Sequence, residues 1–259
     1  MASWQILVAL LVAAVSNASA RSRVVGGSDA TYASLVQVEF NIADLFWVHE
    51  CGGTLLNNVY FLSAAHCFAG PEYDPAYRRI RAGTHIRGEG GVIVNVEREL
   101  NHPTYGQNGN DGDISIVRLA SFLTLGGNIQ GTGLMVPGFV LPAGFSVTYA
   151  GWGYTDPDVD EFANTLQAVT TTVVDNTLCR LLYSNLNSAP PLTENMICAG
   201  DLSQGEQDAC KGDAGGALFY NDILTGVISW GNGCGLSEYP GVSTQVSSYT
   251  AWIVQNTMS

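Results

Sequence analysis

Three short segments contain the residue types that could carry acid–base chemistry. The first has His66 beside Cys67 at the end of an apolar run, and the second has Asp113 at the start of a predicted strand. The third is a Gly-rich turn that reads Cys210-Lys211-Gly212-Asp213-Ala214-Gly215-Gly216. A single histidine is usually structural, and a Gly-rich turn is usually only a turn. The order of the three segments, with 47 residues from His66 to Asp113 and 101 more to Ala214, makes the set informative.

The elements that must position these segments are predicted to be strands. Runs of β-branched or alternating apolar residues recur between Gly, Asn, Asp and Pro, as in residues 34–40, 92–96, 145–149, 170–174 and 224–228. This pattern predicts an all-β barrel or sandwich. Helical spacing is clearest near the C-terminus, where Val246, Tyr249, Trp252 and Ile253 share one face.

The composition excludes several classes of protein. Of 259 residues, 46% are hydrophobic and 13% are charged, and 10 Lys and Arg stand against 23 Asp and Glu, a formal net charge of −13. A chain this apolar is not intrinsically disordered. The acidic balance argues against a nucleic-acid partner, because such proteins need a basic surface to neutralise phosphate. Lys211 is the only lysine in the chain.

The N-terminus has the pattern of a secretory signal. The apolar run from Ile6 to Val15 would span roughly 15 Å as a helix, about half of a bilayer core. It is followed by Ala18-x-Ala20, which fits a signal-peptidase site, although the run is preceded by no Lys or Arg. Residues 1–20 are therefore predicted to be a signal peptide of a secreted, extracellular protein, with an uncleaved anchor as the alternative. No later segment is long and apolar enough to span a membrane, so no membrane association is expected.

Secretion changes the interpretation of the six cysteines, Cys51, Cys67, Cys179, Cys198, Cys210 and Cys234. An even number in an oxidising compartment indicates three disulfides, although six cysteines allow 15 pairings. Zinc is the competing interpretation. The chain has no C-x2-C pair and no His pair at ligand spacing, so no metal site is predicted.

From Val24 onward the chain resembles the trypsin/chymotrypsin family of serine proteases. The resemblance rests on motifs in a fixed order: Val24-Val25-Gly26-Gly27, Ala65-His66-Cys67, Asp113, Ala150-Gly151-Trp152-Gly153, the Gly212–Gly216 turn, Ser229-Trp230-Gly231 and Pro240-Gly241-Val242. Within the family, the run of motifs looks most like the digestive trypsins of insects, particularly moths.

The resemblance implies an all-β fold of two packed six-stranded antiparallel β-barrels with a C-terminal α-helix. The expected limits are residues 21–23 for an activation peptide and 24–259 for the protease-like domain, with barrels at about 24–125 and 126–245 and the helix at about 246–256. It also implies the disulfides Cys51–Cys67, Cys179–Cys198 and Cys210–Cys234. It implies no cofactor.

The resemblance also implies the roles of residues in the cleft between the barrels. His66 corresponds to the general base and Asp113 to the acid that orients it. The backbone N–H groups of Gly212 and Ala214 correspond to the oxyanion hole. Asp208 corresponds to the acid at the base of a pocket for an Arg or Lys side chain, and the remaining substrate-binding positions are Ser229, Trp230, Gly231 and Gly241.

One departure from the family pattern decides the functional interpretation. The family motif is Gly-Asp-Ser-Gly-Gly, whereas this chain has Ala214 at the nucleophile position. Acyl transfer needs an oxygen or sulfur that the histidine can deprotonate, and a methyl group has neither. The chain is therefore predicted to be an inactive homologue that binds without cutting. Two alternatives stay open: a trypsin-type endopeptidase whose serine was substituted, and a structural or storage role.

The maturation signal of the family is retained. Cleavage after Arg23 would free the amino group of Val24, which in the family pairs with the acid before the nucleophile, here Asp213. Removal of residues 1–23 takes away two arginines and no acid, so the formal net charge would change from −13 to −15.

Smaller departures concern the shape of the pocket. Ala209 stands where trypsins often have serine, which would favour Arg over Lys, and Ser243 stands where an aromatic residue is common. Ala217 replaces the usual proline after Gly-Gly.

The expected partner is a peptide or protein with a basic side chain, including protease inhibitors, and the chain is predicted to be a monomer. A second feature is a cluster of basic residues, Arg78, Arg79, Arg81, Arg87 and Arg98. It is interpreted either as a solvated surface balanced by nearby acids or as a patch for an acidic partner.

Overall fold

The computed structural model describes residues 26–71, 73–156, 158–159 and 161–257. The predicted signal peptide, the activation peptide and the predicted new N-terminus at Val24 lie outside these residues. A two-residue strand, β1 (Ser28–Asp29), precedes the first barrel and pairs with a strand of the second.

The first barrel closes from six antiparallel strands in the order β2-β3-β4-β7-β6-β5. The strands are β2 (Leu35–Ile42), β3 (Phe46–Leu55), β4 (Tyr60–Ser63), β5 (Arg78–Ala82), β6 (Val92–Asn101) and β7 (Ser115–Leu119). Two short 3₁₀ helices, Ala65–Phe68 and Pro75–Tyr77, connect β4 to β5.

The second barrel is a ring of six antiparallel strands in the order β9-β10-β11-β14-β13-β12. A short strand, β8 (Gly133–Leu134), joins this sheet by parallel pairing with β13. The strands of the ring are β9 (Ser146–Gly151), β10 (Gln167–Val174), β11 (Met196–Ala199), β12 (Ala217–Tyr220), β13 (Ile223–Trp230) and β14 (Gly241–Gln245). Helix α1 (Asn176–Tyr183) precedes β11, and α2 (Val246–Thr257) follows β14. The prediction of two six-stranded barrels with a C-terminal helix is confirmed.

Alternation along the strands explains how each barrel buries one face. In β10, Val169, Thr171 and Val173 are buried, whereas Thr170 and Thr172 are exposed. Successive side chains of a strand point to opposite faces, so this period of two puts every second residue inside the barrel.

A shared core holds the two barrels in a fixed relation. The largest cluster of buried apolar side chains includes Phe61 and Leu62 of the first barrel and Phe219 of the second. Trp152 is 1% exposed, and its Nε1–H donates to the carbonyl oxygen of His85 at 2.9 Å. Since the core is continuous across the boundary, residues on facing edges of the barrels keep defined distances.

All three disulfides have the pairing that the resemblance implied: Cys51–Cys67, Cys179–Cys198 and Cys210–Cys234. The first ties β3 to the residue after His66, and the third ties the start of the Gly-rich turn to the segment after β13. Both therefore restrain segments that carry candidate site residues.

Members of the arginine cluster are held by other groups of the first barrel. Glu39 is 2% exposed, and its two carboxylate oxygens accept from Nε of Arg79 at 2.5 Å and Nε of Arg81 at 2.6 Å. Nη1 of Arg81 also donates to the carbonyl oxygen of Gly90. The guanidinium of Arg78 lies over the ring of Phe40, 3.5 Å from its centroid. Arg78, Arg79 and Arg81 are thus engaged by groups of the protein itself, which weakens the interpretation of the cluster as a patch for an acidic partner.

Replacement of Glu39 by alanine should destabilise the protein by about 3–5 kcal/mol, because two arginines would lose their buried counterion. Urea denaturation followed by tryptophan fluorescence measures the loss. The exposed Glu238, changed to alanine, is the matched control and should cost about 0.5 kcal/mol or less. If Glu39→Ala does not fold, Glu39→Gln gives a milder test. Equal stability of the Glu39 and Glu238 variants would contradict a structural role for the cluster.

Candidate active site

His66 and Asp113 form a hydrogen-bonded pair at the edge of the first barrel. Asp113, 1% exposed, directly precedes the chain that enters β7, and His66 lies in the 3₁₀ helix after β4. Nδ1 of His66 is 2.8 Å from Oδ2 of Asp113, and the backbone N–H of His66 donates to Oδ1 at 2.9 Å. Because Nδ1 must donate to the carboxylate, Nε2 is the nitrogen left to exchange a proton with a ligand.

The second barrel also holds Asp113. The hydroxyl of Ser229, in β13, donates to Oδ2 at 2.5 Å. The hydroxyl of Thr244, in β14, donates to the backbone carbonyl of Asp113 at 2.7 Å. One carboxylate therefore orients the imidazole and connects the two barrels.

The environment of His66 favours its charged form. Burial of the imidazole acts against the charge, but the hydrogen bond and the negative charge of Asp113 together outweigh it and raise the pKa of His66. The side chain is still 37% exposed, so the ring can be reached from the cleft.

The Gly-rich turn lies against the first barrel beside this pair. The carbonyl oxygen of Ala214 accepts from the N–H of Gly52 at 2.8 Å and lies 3.9 Å from Sγ of Cys67, the residue after His66. Ala214 is partly buried. Its methyl group carries no atom that could attack a carbonyl carbon.

Two backbone donors of this turn are left for a ligand. The N–H groups of Asp213, Gly215 and Gly216 each donate to a carbonyl oxygen. In contrast, the N–H groups of Gly212 and Ala214 have no acceptor among the residues that the structure describes. Paired backbone N–H groups next to a cavity can bind a carbonyl oxygen or an anion.

His49 contacts the backbone of the Gly-rich turn. No sequence motif indicated this role. Its Nε2 is 3.1 Å from the carbonyl oxygen of Gly212, so this nitrogen carries the hydrogen. Burial lowers the pKa of His49 to about 4, and the imidazole is therefore neutral at ordinary pH. The two residues are 163 positions apart, and no motif links them.

A cavity of about 270 Å³ opens beside the turn, with Asp208 in its wall. The structure brings seven of the predicted site residues to this one cavity: Asp208, Gly212, Ala214, Ser229, Trp230, Gly231 and Gly241. Their roles remain predictions, but their common location is a property of the fold.

Asp208 is a buried acid without a cation beside it in the described ranges. It is 4% exposed, and its carboxylate oxygens accept from the N–H groups of Ala209 at 2.8 Å and Gly235 at 3.1 Å. Burial, aided by the charge of Asp213, raises the pKa of Asp208 to about 7 despite these two hydrogen bonds. A cationic side chain that entered the cavity would favour the ionised carboxylate.

Tyr149 lines the cavity and is not indicated by any sequence motif. It lies in β9 and is 1% exposed, and its hydroxyl is 3.3 Å from the carbonyl oxygens of Ala199 and Gly241. A Cβ on Gly241 would lie 2.3 Å from Oδ1 of Asp208 and 2.9 Å from the Tyr149 hydroxyl, so only glycine fits there. Strand alternation could predict that Tyr149 is buried, but not that it reaches this cavity.

Asp213 is the acid of the Gly-rich turn, and it is buried. It is 1% exposed, and its oxygens accept from the N–H groups of Gly153 at 2.8 Å and Cys210 at 2.9 Å. Burial raises the pKa of Asp213 to about 6. Within the described part of the chain it has no cationic partner. Its predicted partner, the amino group of Val24, lies outside that part.

Neither a metal site nor a membrane span is found among the described residues. The one group with metal-ligand atoms close together consists of Cys51, His66 and Cys67. Both sulfurs are joined in a disulfide, so they cannot act as thiolate ligands. None of the helices in the described ranges is long and apolar enough to cross a bilayer.

The chain is similar in sequence to known trypsins over nearly its whole length. The family model described as Trypsin matches residues 24–253. "Trypsin CFT-1" of Choristoneura fumiferana is 36% identical over 257 residues, which covers 96% of this chain and 97% of the relative. "Trypsin, alkaline C" of Manduca sexta is 36% identical over 258 residues with the same two coverages. "Trypsin" of Xenopus laevis is 34% identical over 257 residues and covers 98% of both chains.

A cationic ligand of the cavity should bind more tightly as the pH rises through about 7. The carboxyl of Asp208, with its pKa raised to about 7, must lose its proton to pair with the cation. The affinity for benzamidine should therefore rise nearly tenfold per pH unit between pH 5 and 6.5 and level off above pH 8. Isothermal titration calorimetry measures this dependence.

The variant Asp208→Asn is the control for this titration. It should bind benzamidine at least a hundredfold more weakly at pH 8, because the charged acceptor is gone. An affinity of the unmodified protein that is equal at pH 5 and pH 8 would contradict the assignment of Asp208.

Proposed function

The chain belongs to the trypsin family of serine proteases, and on this premise we propose that it is a secreted member that binds basic peptides or protease inhibitors without cleaving them. The observation that carries the proposal is the methyl side chain at position 214 beside an otherwise intact site. A base without a nucleophile could only activate water. Loss of the serine in such a site costs about 10⁶-fold in turnover.

The parts of the site that do not need a nucleophile support a binding function. The His66–Asp113 pair keeps its 2.8 Å contact, and the N–H groups of Gly212 and Ala214 keep their freedom to bind a carbonyl oxygen. A protein retained only for structure or storage has no need for these features, so they favour recognition over a structural role.

The cavity supports a basic side chain as the recognised group. Asp208 offers a buried carboxylate, and a guanidinium can satisfy it with charge-assisted hydrogen bonds. Ala209, next to Asp208, supplies no hydroxyl as a further acceptor. This favours Arg over Lys, because a planar guanidinium can pair with the carboxylate through two parallel hydrogen bonds and an ammonium cannot. Ser229, Trp230 and Gly231 line the same cavity and would contact the adjoining peptide backbone.

Maturation by cleavage after Arg23 is part of the proposal. The buried carboxylate of Asp213 lacks a cation in the described residues, and an amino group of Val24 would supply one. Gly26, the first described residue, lies beside the segment that precedes Asp208, since a Cβ there would be 2.2 Å from the carbonyl oxygen of Glu206. This contact supports the proposal that the amino group of Val24 reaches the carboxylate of Asp213. The apolar run at residues 6–15 supports secretion.

Ala214→Ser is the direct test of the missing nucleophile. The mature unmodified chain should show no hydrolysis of an arginine p-nitroanilide above background. The serine variant should gain at least about 10⁴-fold in kcat/KM, because the base and the oxyanion donors are already in position. Ala214→Gly, which adds no nucleophile, is the matched control.

Hydrolysis of the p-nitroanilide and binding of benzamidine together distinguish the non-cleaving function from the structural role. Measurable hydrolysis by the unmodified chain, lost in His66→Ala, would overturn the non-cleaving function. A serine variant that neither cleaves nor binds benzamidine would favour the structural role. Strong activity after reversion fits the proposal and also a chain that lost its serine recently.

Asp213→Asn tests the maturation step. In the chain cut after Arg23, this variant should bind benzamidine at least tenfold more weakly, because the new amino group would lose its buried counterion. Calorimetry on cut and uncut chains measures the difference, with the exposed Asp44→Asn as control. Unchanged affinity in Asp213→Asn would contradict the step.

A further inference from the structure

A second cavity lies between the first barrel and the C-terminal turn of α2. Its volume is about 310 Å³, which is at the lower end of the range for small-molecule sites. The residues that line it are Tyr60, Arg98, Glu99, Leu100, Ile116, Arg118, Gln255 and Asn256. None of them lines the cavity of Asp208, so the two cavities are separate.

Strand register explains why two arginines meet in this cavity. Arg118 of β7 is paired with Tyr60 of β4 on one side and with Arg98 of β6 on the other. Residues that are directly opposite in a sheet project to the same face, so these three side chains form a row. The neighbours of Arg118 in β7, Val117 and Leu119, are 0% exposed inside the barrel. Because successive residues alternate between faces, the row lies on the outer face.

A β-bulge places Arg98, rather than an acid, opposite Arg118. The pairing advances from Val96 to Arg98 in β6 while it advances by one residue, from Leu119 to Arg118, in β7. Glu97 is therefore the extra residue of the bulge, and regular pairing would have put it opposite Arg118. Like charges directly opposite each other destabilise a sheet. An anion between the two guanidinium groups would relieve this repulsion.

The two arginines differ in how far they are already paired. Nη1 of Arg118 donates to a carboxylate oxygen of Glu97. Arg98 is exposed, and it makes no hydrogen bond, ion pair or ring contact with the residues that the structure describes. One positive charge on this face therefore has no counterion there, although the chain as a whole has a net charge of −13.

The acid that lines the cavity, Glu99, is engaged elsewhere. It follows Arg98 in β6, so its side chain projects to the opposite face of the strand. Its carboxylate accepts from the hydroxyl of Tyr73 at 2.6 Å, and the ring of Tyr73 contacts the core residue Phe68. Glu99 therefore does not neutralise the arginine pair.

We propose that this cavity binds a sulfate or phosphate group between the guanidinium groups of Arg98 and Arg118. A guanidinium donates two parallel hydrogen bonds to a pair of oxygens. A tetrahedral oxyanion offers several such pairs and can bind both arginines, whereas a carboxylate offers one. The inference goes beyond the proposed function: it adds a separate site through which the protein could attach to sulfated or phosphorylated material while the cavity of Asp208 stays open.

The end of α2 makes both arginines necessary. The C-terminal end of a helix carries partial negative charge, which acts against an anion. The amide of the exposed Gln255 can donate one neutral hydrogen bond, but it adds no charge. We therefore expect the loss of either guanidinium to abolish most of the affinity.

Calorimetric titration of the full chain with sodium sulfate tests the site. An ionic strength of about 0.1 M confines the repulsion by the other acidic residues to about 10 Å. We expect one sulfate per chain with a Kd of about 1 mM or lower. Inorganic phosphate should compete with it, and sodium chloride at equal ionic strength should give no saturable heat. The absence of saturable sulfate binding would overturn the proposal.

Three arginine variants separate a built site from a general effect of charge. Arg98→Gln and Arg118→Gln should each weaken sulfate binding at least tenfold, because each removes a charged pair of hydrogen bonds. Arg180→Gln removes the same charge from the exposed face of α1 and should stay within twofold. Melting temperatures within about 2 °C of the unmodified protein would show that the variants fold. Equal affinities in all three variants would overturn the site.

Glucose 6-sulfate and glucose identify the source of the oxyanion. Tighter binding of glucose 6-sulfate than of inorganic sulfate would assign the cavity to a sulfate ester on a larger molecule, and equal binding would assign it to the free ion. Binding of unmodified glucose with the same affinity would overturn recognition of an oxyanion. None of these measurements involves the cavity of Asp208, so their outcome is independent of the proposed function.

Discussion

The carboxylate of Asp113 is the point on which the rest of the site depends. It receives the backbone N–H and Nδ1 of His66 from the first barrel and the hydroxyl of Ser229 from the second. A buried carboxylate is costly unless its oxygens are hydrogen-bonded, so the barrels must meet in the one arrangement that supplies these donors. The orientation of the imidazole is a consequence of this packing.

Two other buried acids extend the same principle across the cleft. Asp208 and Asp213 are each held by two backbone N–H groups, and burial raises the pKa of both. Neutral donors compensate a buried charge only in part. Each acid can therefore accept a cation from elsewhere, which in the proposed function is a ligand side chain at Asp208 and the amino group of Val24 at Asp213. The proposal links recognition to maturation because the two acids lie in one segment.

The substitution at position 214 is compatible with this framework because the framework does not use that side chain. The turn is held through the backbone, by the contact of Ala214 with Gly52 and of Gly212 with His49. The shape of the cleft therefore does not depend on the side chain at position 214. On the function we propose, this independence is what allows a protease fold to bind a ligand without cleaving it.

The sequence by itself determined the family, the two-barrel fold, the cysteine pairing through its resemblance, and the residues that carry or lack reactive groups. These follow from local motifs such as Ala65-His66-Cys67 and the turn with Ala214, where residue type and order are sufficient. Only the tertiary structure decided that Glu39 pairs with both Arg79 and Arg81, that His49 contacts the carbonyl oxygen of Gly212, and that Tyr149 reaches the cavity of Asp208. These contacts depend on strand register and barrel closure, and a shift of one residue would turn each side chain to the opposite face.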